Sequence, residues 1–245
     1  MGKIKFGRVE AIALVASCCV GLLASIEAWQ SNPVRANSDT VGVVLAEGLP
    51  TRLAMASDMN YLSTLEQGII AEMNLARTNP NAYADKLVQL KQYFDGNTIR
   101  RPGEIGIITQ EGVSAVDEAI DFLRSASPVS PLNPSRGMSL GARDLVSDQG
   151  PQGGLGHTGS DGSQPWDRVS RYGEWQMSIG ENVSYGPNTA ERVVTQLIID
   201  DGVPNRGHRT NIFKPDFAVT GVACGDHAKF RSMCVITYAG GYDEG

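Results

Sequence analysis

Residues 175–185 read Trp-Gln-Met-Ser-Ile-Gly-Glu-Asn-Val-Ser-Tyr. Trp175, Met177, Ile179, Glu181, Val183 and Tyr185 alternate with Gln176, Ser178, Gly180, Asn182 and Ser184, the period of two expected of a half-buried strand. Glu181 is the charged member of an otherwise apolar row. A carboxylate there costs several kcal/mol unless it is paired or hydrogen-bonded. Three readings are open: a functional acid, a bulge at Gly180 that turns Glu181 out to solvent, and a buried ion pair without chemistry.

On the C-terminal side, Asn188-Thr189-Ala190-Glu191 reads as a capping box. It opens a helix with Val193, Val194, Leu197 and Ile198 inside, ended by Gly202–Arg206. Val219–Cys224 and Met233–Tyr238 then read as a closing hairpin. On the N-terminal side lies a Gly-rich loop, Gln149–Arg168, after a short helix at Met138–Val146 and a Pro-rich loop at Ser127–Pro134. Further upstream, Asp58 can cap a helix carrying Leu62, Leu65, Ile69, Ile70 and Met73. Pro80 starts a second helix with Tyr83, Leu87, Leu90 and Phe94. Gly96–Gly112 reads as a connection with an apolar patch at Ile105, Ile107 and Ile108, and Val113–Leu123 as another helix. Helices first and strands last imply a layered α+β domain rather than a βαβ repeat.

The 245 residues, 41% hydrophobic and 20% charged, are an ordinary globular composition with net charge -6. Lys3, Lys5 and Arg8 before the apolar run Ala11–Ala24 form a secretory signal, with a cut expected after Ala36. Two alternatives stand beside it, an uncleaved anchor and a lipobox ending at Cys18. The domain reading is therefore signal peptide 1–36, lead-in 37–57 and one domain over 58–245. The body after Ala36 carries 17 basic and 25 acidic residues, which argues against nucleic acid as a partner. No later segment is apolar enough to span a membrane. The expected location is extracellular or periplasmic.

Of the four cysteines, Cys18 and Cys19 leave with the signal. Cys224 and Cys234 sit on the two arms of the closing hairpin, and an exported chain favours a disulfide between them over two buried thiols. Three histidines are present: His157 in the Gly-rich loop, His208 past a helix end, and His227 as a turn residue. Their spacing forms no local metal motif. Gly137-Met138-Ser139-Leu140-Gly141 matches a serine-hydrolase pattern but follows a Pro-rich loop instead of a strand, so it reads as a chance match. Asn182-Val183-Ser184 matches a glycosylation acceptor inside a strand.

Five segments taken together resemble the CAP superfamily, in its secreted bacterial branch. They are Glu72–Arg77 with Asn79-Pro80, Leu155–Gly162 with Pro165–Arg168, Ile179–Val183, Gly207–Ile212 and Gly221–Cys224. The resemblance spans about residues 62 to 242 and implies a three-layer α-β-α sandwich with a central antiparallel sheet. It implies a cleft where His157, His208, Glu181 and a second acid converge. In such a cleft the imidazoles hold zinc or another divalent metal, and the carboxylates sit behind them. The second acid departs from the family pattern: Asp200 and Asp201 are the candidates, Asp200 preferred, and Leu197 stands where a tryptophan is usual. If Glu181 faces the histidines, Glu181→Gln is expected to alter metal affinity with little effect on folding. The implied role is a binding module for lipid, sterol or protein partners. The alternative is a metal-dependent hydrolase with Glu181 and Asp200 in its chemistry, for which Ser160 is the one nearby nucleophile.

Overall fold

The computed structural model describes residues 59–104 and 106–245. The expected signal, its cysteines, the lead-in 37–57 and the Asp58 cap lie outside the described residues. Helix α1 (Thr64–Thr78) is capped by Ser63, whose hydroxyl accepts from the Glu66 amide while Glu66 reaches back to the Ser63 amide. Pro80 starts α2 (Pro80–Leu90), capped by Asn79. Phe94, expected on this helix, begins a strand instead.

The stretch expected as a connection folds into a small antiparallel sheet: β1 (Phe94–Asp95), β2 (Thr98–Ile99) and β3 (Ile107–Ile108). Helix α3 (Val113–Ser125) follows. Strand β4 (Asn133–Pro134) leads into α4 (Arg136–Gln152), longer than expected because Pro151 is tolerated in its last turn. The short α5 (Pro165–Val169) precedes β5 (Gly173–Tyr185). Then come α6 (Ala190–Ile199), α7 (Gly207–Phe213), β6 (Val219–His227) and β7 (Arg231–Glu244). Thr189 caps α6 through its hydroxyl, which accepts from the Arg192 amide. Arg192 has no acceptor to return the bond, so the expected capping box is a single cap.

The main sheet has the order β4-β6-β7-β5. Its β6–β7 and β7–β5 pairs are antiparallel, and the two-residue β4 runs parallel to β6 at the edge. Alternation along β7 assigns the layers. Met233, Val235 and Ala239 pack against α4 and α5, and Cys234, Ile236 and Tyr238 pack against the layer of α1, α2, α3, α6 and α7. The fold is thus an α-β-α sandwich. On the α4 side, a Cβ at Gly221 would run into the backbone of Met138 and Ser139, so glycine lets α4 lie directly on β6. On the other side, buried Arg77 ties α1 to the loop before β4, to α7 and to the chain after it, donating to the carbonyls of Ser130, Ile212, Lys214 and Phe217. Cys224 and Cys234 are disulfide-bonded across directly opposed positions of β6 and β7.

The bulge in β5 falls between Gln176 and Ile179, not at Gly180. Met177 adopts φ 66° there and is 80% exposed. The apolar row is therefore broken at Met177 and resumes inward at Ile179, which leaves Glu181 buried rather than turned to solvent. Among the described residues no helix is long and apolar enough to cross a membrane.

Candidate functional site: two carboxylate-bound histidines beside a groove

Strand β5 is the edge of the main sheet, and consecutive residues on it reach opposite layers. Glu181 points toward the α4–α5 layer. Its Oε1 lies 2.9 Å from His157 Nδ1, and its Oε2 accepts from Arg168 Nη2 at 2.7 Å. Asn182 points to the other layer, where its amide donates to the His208 carbonyl at 2.9 Å and to the Tyr238 hydroxyl at 3.1 Å. Both histidine segments therefore dock on one dipeptide of one strand, from its two faces.

The His157 loop is held by side chains from three elements. Arg168, 1% exposed, donates to the carbonyls of His157 and Ser163 as well as to Glu181. Gln149, at the end of α4, donates to the carbonyls of Gly156 and Thr158. The Tyr185 hydroxyl accepts from the Gly156 amide and donates to Gln149, and burial pushes that phenol up to about 12. His227 is buried rather than a free turn residue. Its Nδ1 accepts from the amides of Lys229 and Phe230, so Nε2 carries the proton and donates to the Gly154 carbonyl at 2.8 Å.

On the second side, Asp200 ends α6 in the left-handed region at φ 57°, a conformation that aspartate tolerates. Its carboxylate accepts from the His208 amide at 2.9 Å and meets His208 Nδ1 at 2.5 Å. Asp201 turns away, accepting from the amides of Gln110 and Glu111. Arg206 follows with hydrogen bonds to Glu111, Glu118 and the carbonyls of Asp200 and Val203. That clasp holds Glu111 down to about 2, mainly through the Arg206 hydrogen bond.

In each pair the carboxylate accepts from Nδ1, so in the neutral imidazole Nε2 is the nitrogen with the lone pair. Neither Nε2 hydrogen-bonds to a described residue. The donor chemistry of each ring suits a metal, but among the described residues no group of three or more histidine, cysteine, aspartate or glutamate side chains is gathered to hold one. The structure supplies two oriented nitrogen donors and stops there.

A groove of about 700 Å³ runs from the β1–β3 flap to the tip of the β6–β7 hairpin. Leu65, Leu90, Ile99, Ile107, Leu197, Val203, Tyr185 and Phe230 supply its apolar walls, and Asp200 and His208 border it. His157 and Glu181 do not line it.

Other sequence motifs have structural roles. Ser139 is buried in α4, donating to the Ser135 carbonyl and accepting from the Val222 amide, which closes the serine-hydrolase match. Asn182 is fully buried, so the Asn182-Val183-Ser184 acceptor is inaccessible. Ser160 donates to Asp148 rather than to a histidine. The residue that sequence reasoning did not place is Arg168. The available sign was a lone arginine in the short Pro165–Val169 helix, among residues that otherwise read as loop.

No curated protein matches the chain significantly. Among solved structures it is similar to an outer surface protein from Borrelia burgdorferi, at 17% identity over 45% of this chain and 78% of that one, with a TM-score of 0.39. That likeness is too low to transfer anything. The profile of the Cysteine-rich secretory protein family matches residues 118–238, a span that contains both histidines, both acids and the disulfide. Over that span, about half of the chain, the protein carries a CAP domain.

Proposed function

We propose that the protein is an exported binding module that takes an apolar ligand, of the lipid or sterol class, into the groove beside Asp200 and His208. The observation that carries this reading is the groove itself: about 700 Å³, within the size range of small-molecule sites, with a mainly apolar surface interrupted by charged and polar side chains that include Arg101, Arg192, Asp200 and His208. Export is supported by the Cys224–Cys234 disulfide, a bond that persists in oxidising compartments. His157 and His208 would offer two Nε2 donors to a divalent metal such as zinc, with Glu181 and Asp200 fixing the rings. A bound metal there would polarise or anchor a polar ligand group. Two donors are fewer than the three of catalytic zinc sites, so the metal is expected to be held weakly.

The hydrolase reading has less behind it. Ser160 is engaged by Asp148, and among the described residues no hydroxyl or thiol hydrogen-bonds to either imidazole. The test is displacement of the neutral dye Nile red. The dye should bind the full chain saturably and be displaced by 1-dodecanol, and Ile107→Asp should abolish both. Failure of the dye to bind, or equal binding by Ile107→Asp, would remove the groove from consideration.

A further inference from the structure

The chain enters the described domain at the rim of the groove. Met59 and Tyr61 pack against the core cluster that holds Leu62, and Ser63 and Leu65, at the start of α1, line the groove. Further upstream, residues 41–46 read Val-Gly-Val-Val-Leu-Ala, an apolar run with valine at three of its six positions. Asp39 and Glu47 flank it. Left in water, such a run exposes apolar surface that folding or docking would otherwise cover. Residues 47–58 join it to Met59. Twelve residues span at most roughly 40 Å, about the width of a domain of this size, so the run has the reach for any part of the groove. At the hairpin end stands Arg231, the first residue of β7. It makes no ion pair or side-chain hydrogen bond with a described residue, which leaves it open to an acidic flank.

Resting on the groove reading above, we propose that residues 41–46 occupy the groove when no ligand is bound, so that the protein carries its own competitor. The valines and Leu45 meet the apolar walls at Leu65, Ile99, Ile107 and Leu197, and a flanking acid meets Arg231. The tether makes a weak contact effective. A short linker holds its segment at about 1 mM, so an intrinsic dissociation constant of about 0.1 mM fills the groove to about nine-tenths. A competing probe is then weakened about tenfold. An apolar ligand has to displace the segment, which sets a threshold on loading and keeps the apolar walls covered between ligands.

The test is Nile red titration of the full chain beside a Val43→Asp, Val44→Asp double variant, with thermal melts confirming that the variant is folded. The variant should bind the dye about tenfold more tightly. A synthetic peptide of residues 39–47 should displace the dye from the variant at about 0.1 mM, and the same peptide carrying both aspartates should not. Equal dye affinity in the two proteins, or no displacement by the peptide, overturns the self-occupied groove and leaves the groove reading standing. A difference in affinity that grows with protein concentration marks exchange between two copies and overturns the intramolecular contact. Absence of dye binding by both proteins overturns both readings.

Discussion

Arg168 Nη2 lies 2.7 Å from Glu181 Oε2, and the same guanidinium donates to the carbonyl of His157. One buried arginine thus fixes both partners of the His157–Glu181 pair. The acid that orients the imidazole is also half of a buried ion pair, so its electrostatic role and its structural role cannot be separated by position.

This changes what Glu181→Gln should do. From the sequence, the substitution is expected to spare folding. With Arg168 buried against it, removing the charge leaves a guanidinium without its counter-ion, and the unfolding free energy should fall by about 3 kcal/mol. Urea denaturation measures this. A loss below about 0.5 kcal/mol, the scale of an ordinary surface substitution, would mean that the pair is not a structural element.

Zinc should bind weakly, near one ion per chain, through the two Nε2 atoms. His157→Ala with His208→Ala should abolish the calorimetric signal. Equal binding by wild type and the double variant would place any zinc elsewhere.

Acid stability has a definite sign at the flap. The Arg206 hydrogen bond lowers Glu111 from 4.5 to about 2. A carboxylate whose folded value is depressed stabilises the protein above its unfolded value, and that stabilisation is lost as pH falls from about 4.5 to 2. The Glu111 side chain is 35% exposed, so solvent screening limits the contribution to about 1 kcal/mol. Unfolding measured across that window should be less pH-dependent in Arg206→Gln. An unchanged pH profile would contradict the clasp.

The disulfide closes a ten-residue separation in a hairpin already paired on both sides. Exported protein should be lighter than its reduced form by two hydrogen atoms in intact mass. Replacing both cysteines by alanine should cost about 2–3 kcal/mol, chiefly by freeing the unfolded chain. Two titratable thiols in the native protein would contradict the bond.

Much of the fold was legible because periodicity and capping act locally. The α1, α2, α3 and α6 helices and the β6–β7 hairpin follow from spacing, Pro80 and the apolar alternation. The misses involve long-range contacts. The β1–β3 flap consists of two-residue strands, too short to show a period. The bulge sits at Met177 rather than at Gly180, one of three readings the sequence leaves open, because an L residue accepted a positive φ at an exposed edge. His227 reads as a turn residue until the Gly154 carbonyl is seen to cap it. At the site, the residue types were legible but the pairing was not. Which aspartate meets His208 depends on the left-handed turn at Asp200, and Arg168 acts across 13 residues.

The most direct test of the central claim is methyl-resolved NMR with 1-dodecanol added to protein labelled at Ile, Leu and Val methyls. The methyls of Leu90, Ile99, Ile107, Leu197 and Val203 should shift together and saturably, while those of Leu145 and Val235, which pack in one cluster on the α4 side of the sheet, stay in place. Shifts confined to the α4 side, or none at all, would contradict a ligand-binding groove under the flap.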